Sequence, residues 1–228
     1  MKYNTILLDA DDTVLDFKKS EAVALRATLE RFSLRVDEEV ISTYSEINDG
    51  YWKALERGEV IKSDLRWLRF ADLCKTFGFE VAPTLMADEY ESNLSKTPYM
   101  LDGAAELCRD LAEKYRIYIV TNGQKKVQKG RLFCTPLTAY FIKAFISEDV
   151  GYEKPSREYF EKVASEIPEF DKSKTVIIGD SLTSDIKGGI GFGIDTCWYN
   201  PHGKALPDGI NVTYNVRSFE DIRKIFLA

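Results

Sequence analysis

The residues that could carry chemistry form four short polar groups, and each group follows a run of apolar residues, directly or after a short loop. The groups are Asp9-Ala10-Asp11-Asp12-Thr13, Thr121-Asn122-Gly123, Lys154-Pro155 and Gly179-Asp180-Ser181, with Asp185 five residues after Asp180. Taken alone, an Asp-x-Asp-x-Thr motif is weak evidence for a functional site, so its position in the chain must show whether it is one. Because it comes directly after the first apolar run, its carboxylates would lie where a strand ends in a crevice.

The residue types in these groups indicate one kind of reaction. Carboxylates that face one another repel and raise each other's pKa unless a cation neutralises them. Hard oxygen ligands without histidine or thiolate select Mg²⁺, which keeps water ligands and recruits substrate phosphate. A lysine and a turn with hydroxyl and amide donors suit a phosphoryl group. The pattern therefore predicts metal-assisted phosphoryl transfer with a carboxylate nucleophile.

The apolar runs have the length and flanking residues of buried parallel strands. They are Ile6-Leu7-Leu8, Ile117-Tyr118-Ile119-Val120, Ala144-Phe145-Ile146, Val176-Ile177-Ile178 and Thr196-Cys197-Trp198-Tyr199, and a last strand and helix are expected after a loop at 199–211. Helical patterns lie between most runs, which is typical of a doubly wound sheet with right-handed crossovers. Neighbouring strands lie about 4.8 Å apart, so Asp9 and Asp180 could share one ion if their strands are adjacent. The predicted fold is α/β, a Rossmann-like parallel sheet of five or six strands.

Residues 17–98 break this alternation, because they show helical periodicity and no convincing strand. The apolar positions 40, 44, 47, 51 and 55, for example, form one continuous helix face. About four helices are thus inserted after the first strand, where they would lie over the carboxyl ends of the strands and the ligand site. We predict a catalytic core of residues 1–16 and 99–228, and a helical cap domain of residues 17–98 that acts as a lid.

The composition excludes several classes of function. The chain has 228 residues with 31 basic and 37 acidic side chains, a net charge of −6, and a single histidine, His202. One histidine excludes a multi-histidine zinc site and argues against Ser-His-Asp or Cys-His hydrolysis. The acidic balance argues against a nucleic-acid polymer or an anionic membrane as partner. Scattered cysteines without framework spacing and the lack of a long apolar segment favour a cytoplasmic protein.

Some residues are expected to have structural roles. We predict that Asp37 and Ser63 are helix N-caps and that Asp12 has a turn role. Helical spacing favours core packing in the cap, rather than stacking on a base, for four aromatic residues: Tyr44, Tyr51, Trp52 and Trp67. Close packing of a helix on a strand is expected for four glycines: Gly188, Gly189, Gly191 and Gly193.

The four polar groups, in this order, resemble the four motifs of the haloacid dehalogenase-like (HAD) superfamily, and the helical insertion resembles its α-helical cap. The resemblance covers essentially the whole chain. It implies that Asp9 attacks phosphorus and forms an aspartyl phosphate, and that Asp11 protonates the leaving oxygen and later activates water. It also implies that Thr121 and the backbone of Asn122 hold the phosphoryl oxygens.

The same resemblance implies roles for the later motifs. Lys154 would neutralise charge between Asp9 and the phosphate. Asp180 would hold Mg²⁺ together with Asp9 and the carbonyl group of Asp11, and Asp185 would ligate the metal or support its ligands. As an alternative, Asp185 is a first-turn charge favoured by the helix dipole.

Details of the motifs discriminate among members of the superfamily. Dehalogenases are similar in fold but lack the second aspartate, because displacing halide needs neither a leaving-group proton nor a metal, so Asp11 favours a phosphatase. A narrower resemblance to the noncanonical pyrimidine nucleotidases lies in residues 16–17, 147–151, 178–189 and 193–201. It implies a 5′-nucleotidase acting on pyrimidine nucleoside monophosphates, including damaged or modified bases. A phosphatase of another small metabolite, such as a sugar phosphate or phosphoglycolate, shares every catalytic residue; a haloacid dehalogenase and a non-catalytic binding module are further alternatives.

Overall fold

The central element of the fold is a six-stranded, all-parallel β-sheet. The computed structural model describes residues 2–228, and its sheet has the strand order β3-β2-β1-β4-β5-β6. The strands are β1 (Thr5–Asp9), β2 (Arg116–Thr121), β3 (Lys143–Ile146), β4 (Thr175–Gly179), β5 (Asp195–Tyr199) and β6 (Tyr214–Val216). The predicted doubly wound α/β sheet is confirmed, with six strands.

Helices cover both faces of this sheet, as its apolar strands require. The helices are α1 (Phe17–Arg31), α2 (Glu38–Glu56), α3 (Lys62–Phe77), α4 (Pro83–Leu94), α5 (Ala104–Ala112), α6 (Lys125–Phe133), α7 (Ser147–Val150), α8 (Arg157–Glu166), α9 (Lys187–Phe192) and α10 (Phe219–Phe226). Alternate side chains of β1 enter opposite layers: Ile6 and Leu8 pack with residues of α5 and α10, and Leu7 packs with residues of α8 and α9. Among residues 2–228, no helix is both long and apolar enough to cross a membrane.

Strand β1 lies where the strand order reverses, which is where open α/β sheets form a ligand crevice. The chain runs outward through β2 and β3 and then returns to β4 on the other side of β1. Asp9 is in register with Val120 of β2, and Leu8 is in register with Ile178 of β4. The residues that follow these three strands are therefore neighbours at one edge of the sheet.

Helices α1 to α4 are consecutive in the chain and pack around a hydrophobic cluster of their own. Three buried aromatic rings lie at its centre: the ring centroids of Tyr44 and Phe70 are 5.0 Å apart, and Tyr90 lies 5.4 Å from each. Of the cluster's buried residues, Val127 of α6 comes from outside these four helices. We propose that residues 17–98 form a cap domain on a core of residues 1–16 and 99–228.

The local predictions have mixed outcomes. Asp37 is an N-cap, since its carboxylate accepts a hydrogen bond from Val40 N at 3.0 Å. The prediction for Ser63 was wrong: α3 begins at Lys62 after Ile61, without a side-chain cap. The ammonium group of Lys62 lies 2.6 Å from Ser147 Oγ. Helix propensity depends on the local sequence and cannot predict a contact between residues this far apart in the chain.

Two of the four glycines explain how closely α9 packs on its neighbours. A Cβ atom at Gly188 would lie 2.5 Å from the Phe160 ring, and one at Gly189 would lie 2.6 Å from Ile177. For Gly191 and Gly193 the prediction of close packing was wrong, because a Cβ atom there would meet nothing within 4 Å. Gly193 instead ends α9 in a left-handed conformation, with φ of 85°.

Candidate active site

A cavity of about 390 Å³ lies at the carboxyl ends of β1, β2 and β4. It is lined by all seven residues that the sequence predicts for the site: Asp9, Asp11, Thr121, Asn122, Lys154, Asp180 and Asp185. Their convergence follows from the strand order, because parallel neighbouring strands end at the same edge. Their chemical roles stay predictions.

The centre of the cavity floor is a buried lysine between two carboxylates. Lys154 Nζ lies 2.7 Å from Asp9 Oδ1 and 2.6 Å from Asp185 Oδ1, and it also donates to the carbonyl oxygen of Val120. The three side chains are nearly inaccessible to solvent, with Lys154 only 2% exposed. The second oxygen of Asp9 accepts a hydrogen bond from Thr13 Oγ1 at 3.0 Å. The Asp9 carboxylate is therefore held in one orientation by two donors.

Asn122 fixes the backbone of the lysine rather than pointing its side chain into the cavity. Its Oδ1 atom accepts from Lys154 N at 2.8 Å, and its Nδ2 atom donates to the Lys154 carbonyl oxygen at 2.7 Å. Both ends of the Asn122 amide are thus used, and the role of its backbone toward a phosphoryl group stays a prediction.

The carboxylates outnumber the cations in this cluster, and their pKa values reflect it. Burial and the neighbouring Asp185 raise the pKa of Asp9 to about 7, against the opposing effect of Lys154. Burial, together with Asp9 and Asp185, also raises the pKa of Asp180 well above its usual range. Burial lowers the pKa of Lys154, but Asp185 and Asp9 outweigh it and hold that pKa above its ordinary value. The cluster would be stabilised by a further cation.

Three of these carboxylates have the geometry of a metal site. Asp9, Asp180 and Asp185 each offer one oxygen, and the three oxygens lie within 4.8 Å of one another. An all-oxygen, carboxylate-rich donor set fits Mg²⁺. Asp185 already has contacts at both oxygens, since Oδ2 accepts from Ser181 N at 3.2 Å and Oδ1 contacts Lys154. Asp9 likewise has a donor at each oxygen, so these contacts do not separate Asp9 from Asp185, and their roles as metal ligands stay predictions.

Helix α6 contributes two polar residues that the sequence analysis missed. Gln128 Nε2 donates to Asp11 Oδ2 at 2.6 Å, and the guanidinium group of Arg131 forms an ion pair with the same carboxylate. Both side chains are fully buried. A signal was present in the sequence, because two long polar residues three positions apart share one helix face, and that helix follows Thr121-Asn122-Gly123 directly.

Asp12 has the structural role that was expected. Its backbone adopts a left-handed conformation with φ of 54°, and its side chain accepts a hydrogen bond from Phe17 N, the first residue of α1. Burial, then the neighbouring Asp11, raises the pKa of Asp12 to about 6. Asp12 also lines the cavity, so it lies at the junction between the motif and the cap.

Residues of α1 and α2 line the cavity opposite the strand ends, namely Phe17, Lys18, Asp49, Trp52, Lys53 and Glu56. The prediction that Trp52 packs in the cap core was therefore wrong: it lies on the face of α2 that turns toward the cavity. Trp67 is exposed, Tyr51 donates to Asp72, and only Tyr44 of the four aromatic residues is in the core. Helical spacing predicted that α2 has an apolar face. It did not predict which residues of α2 lie against the cavity.

Comparison with known proteins gives a consistent result over almost the whole chain. The family model for haloacid dehalogenase-like hydrolases matches residues 3–193. The HAD-hydrolase YfnB of Bacillus subtilis is 40% identical over 98% of this chain and 95% of its own length. The crystal structure of YfnB, bound to magnesium, superposes with a TM-score of 0.96 and covers 100% of both chains.

Two further relatives have named activities. The pyrimidine 5′-nucleotidase PynA of Streptococcus pneumoniae is 39% identical over 97% of this chain and 94% of its own length. The pyrimidine 5′-nucleotidase YjjG of Escherichia coli is 29% identical over 99% of this chain and 98% of its own length. The similarity therefore includes both the strand ends and the four helices that cover them.

Proposed function

Because the chain belongs to the haloacid dehalogenase-like hydrolases, we propose that it is a magnesium-dependent 5′-nucleotidase that hydrolyses pyrimidine nucleoside monophosphates. Family membership and the nucleotidase relatives identify a phosphoric monoester hydrolase. The nucleotide specificity, the metal dependence and the mechanism are part of the proposal. The observation that carries it is the buried lysine between Asp9 and Asp185, beside a third carboxylate at the same strand ends.

In the proposed reaction Asp9 is the nucleophile. Lys154 and Thr13 hold its carboxylate, and this orientation fixes the oxygen that attacks phosphorus. The new bond joins Asp9 to phosphorus as the bond from phosphorus to the leaving oxygen breaks. Asp11 gives that oxygen a proton, then takes a proton from the water that hydrolyses the aspartyl phosphate and restores Asp9.

The phosphoryl group would be held by donors on the other side of the cavity. Thr121, Asn122 and Lys154 line the cavity. The Thr121 hydroxyl and the backbone of Asn122 would donate to the phosphoryl oxygens, and Lys154 would offset part of their negative charge. Asp9 and Asp180 would hold Mg²⁺ with support from Asp185 and the carbonyl group of Asp11. The ion would supply charge neutralisation for the phosphoryl oxygens. The acidic cluster and the magnesium-bound structure of YfnB support this cofactor.

The leaving nucleoside would occupy the part of the cavity below the cap. Trp52 offers an aromatic face there, and Lys18, Lys53 and Lys204 offer donors. The nucleotidase relatives support a pyrimidine nucleoside monophosphate as the substrate. We propose a cytoplasmic location, because three of the four free cysteines are buried thiols that suit a reducing compartment.

Phosphate release from a panel of phosphate esters, with halide release measured for a haloacid, tests the proposal. The panel contains pyrimidine and purine nucleoside monophosphates, sugar phosphates, phosphoglycolate and a 2-haloacid, assayed with Mg²⁺, with EDTA and with Ca²⁺. We expect the highest kcat/KM for pyrimidine nucleotides with Mg²⁺, loss of activity with EDTA, and inhibition by Ca²⁺, whose looser coordination misplaces the nucleophile.

Other results of the panel would contradict parts of the proposal. Preference for a sugar phosphate would overturn the substrate class, and halide release that survives EDTA would indicate a dehalogenase. Undiminished activity with Ca²⁺ would remove the metal argument. A mock purification from cells that do not express the protein is the blank for contaminating phosphatases.

A further inference from the structure

The amide of Gln128 joins two groups that have separate roles in the proposed reaction. Nε2 lies 2.6 Å from Asp11 Oδ2 and 2.7 Å from Thr121 Oγ1. An amide nitrogen carries two hydrogens, so it can donate one to each oxygen. One buried side chain thereby links the acid–base carboxylate to the phosphate-binding hydroxyl.

This contact determines whether the Thr121 hydroxyl donates or accepts a hydrogen bond toward a ligand. Its oxygen accepts hydrogen bonds from Gln128 Nε2 and from the backbone N of Gly123, the latter at 3.0 Å. A hydroxyl has two lone pairs and one hydrogen. Since both lone pairs are used, the hydroxyl hydrogen remains as a donor. An ionised phosphoryl group presents acceptor oxygens, so this is the polarity that its binding requires.

The position of Asp11 also depends on α6. Gln128 binds one of its oxygens and the guanidinium group of Arg131 binds the other. Arg131 is itself held at the cap, where Nη2 lies 3.3 Å from Ser20 Oγ and the guanidinium lies 5.6 Å from the Phe17 ring. The carboxylate is therefore oriented by a helix face that carries none of the four predicted motifs.

The backbone beside Thr121 leaves room for this amide. A Cβ atom at Gly123 would lie 2.2 Å from Gln128 Nε2 and 2.6 Å from its carbonyl carbon, so a larger residue would displace the side chain. Gly123 is therefore required for packing, independently of its backbone conformation. The lack of a Cβ atom leaves space for the Gln128 side chain at the floor of the site.

We propose that Gln128 is a positioning residue of the phosphatase reaction, which orients the Thr121 hydroxyl toward the phosphoryl group and holds Asp11 at the cavity. This inference rests on the proposed function. It predicts that Gln128 affects substrates unequally. An alkyl leaving group, such as the 5′ oxygen of a nucleoside, needs a proton from Asp11, whereas the nitrophenolate of p-nitrophenyl phosphate leaves without one.

The experiment compares kcat for these two leaving groups in the full-length protein with Mg²⁺. Gln128→Met keeps the length of the side chain and removes the donor. We expect kcat for uridine 5′-monophosphate to fall on the order of 10²- to 10³-fold, because both orienting effects are lost. For p-nitrophenyl phosphate we expect a fall of about tenfold, because only the orientation of Thr121 matters there. Asp11→Asn should show the same preference for the activated ester.

Two further variants separate positioning from general destabilisation. Gln128→Glu keeps the shape and loses the amide donor, so it should repeat the unequal effect. Leu132→Val changes a buried core residue of the same helix whose side chain cannot donate a hydrogen bond to Asp11 or Thr121, and it should lower kcat for the two substrates equally or not at all. Equal losses for both substrates in the Gln128 variants, or changes confined to KM, would overturn the inference.

Failure of the nucleotidase proposal leaves this test intact. If the wild-type protein cleaves no nucleotide, the comparison uses the alkyl phosphate that it cleaves fastest in the panel. An unequal effect with that ester supports the role of Gln128 and rejects only the substrate class, whereas an equal effect rejects the role of Gln128.

Discussion

Replacing Lys154 with methionine, which has a similar length and no charge, would leave two buried carboxylates without their cation. Lys154 Nζ lies 2.7 Å from Asp9 and 2.6 Å from Asp185, and the residues Lys154, Asp9 and Asp185 are 2%, 6% and 0% exposed. Removing one partner of a buried ion pair costs about 3–5 kcal/mol, because the remaining charge stays buried and uncompensated. We expect the free energy of unfolding of Lys154→Met, measured in EDTA, to fall by this amount.

Thermal unfolding followed by circular dichroism provides the assay. For a chain of this size, such a loss corresponds to a decrease in Tm of about 6–20 °C. Added Mg²⁺ should restore part of the Tm, because a cation bound to the folded state neutralises the same carboxylates.

The pH dependence in EDTA has a definite sign. Burial raises the pKa of Asp9 to about 7 even with Lys154 present. A carboxyl group whose pKa is raised by folding stabilises the folded state below its unfolded pKa, and this stabilisation is lost as the pH rises through the folded value. The deficit of Lys154→Met should therefore be largest above a pH of about 7 and should shrink on acidification.

Lys162→Met is the matched control, since Lys162 pairs with Glu166 at 3.2 Å on the surface of α8 and is half-exposed. An exposed pair of this kind contributes about 0–1 kcal/mol, so this variant should melt close to the wild type. Similar, small shifts for both lysine variants would refute the view that Lys154 neutralises a buried acidic cluster.

The remaining predictions concern packing and the cap. Gly188→Ala should lower the free energy of unfolding by about 1–3 kcal/mol, because the new methyl group would lie 2.5 Å from the Phe160 ring. Gly191→Ala, on the same helix but with open space at its Cβ, should cause no loss; equal urea midpoints for the two variants would contradict the packing argument. Trp52→Ala should raise KM for a pyrimidine nucleoside monophosphate by about tenfold or more through loss of base stacking. Its inhibition constant for inorganic phosphate should not change, and the exposed Trp67→Ala should alter neither value; unchanged KM in Trp52→Ala would remove this residue from the substrate site.

Much of the fold could be predicted because the strands are short, apolar on both faces and separated by helical patterns. Because β1, β2 and β4 are parallel neighbours, the polar groups that follow them lie at one edge of the sheet. This result does not depend on which apolar side chains pack between the sheet and the helices. The four helices after β1 could be predicted from periodicity alone, since no run of residues 17–98 resembles a buried strand. These features depend on local sequence and on the rules that govern parallel sheets.

Other features depend on how distant elements dock, and sequence patterns do not contain that information. Gln128 and Arg131 are polar residues on a short helix, and only the packing of α6 against the loop after β1 brings them to Asp11. Trp52 and Tyr44 both lie on α2 and both were predicted to pack in the cap core. Trp52 lines the cavity, whereas Tyr44 is buried in the core. The contact of Lys62 with Ser147, which lies 85 residues away in the chain, likewise cannot be predicted from the local sequence.

The central claim, that Asp9 is the nucleophile of a phosphatase, is tested most directly by phosphate release from the Asp9→Asn variant. The substitution keeps the size of the side chain, so circular dichroism should show an intact fold. With Mg²⁺ and a pyrimidine nucleoside monophosphate, we expect no release above the uncatalysed rate, because an amide cannot form the aspartyl phosphate. Phosphate release at a rate comparable to that of the wild-type protein would contradict the assignment of Asp9.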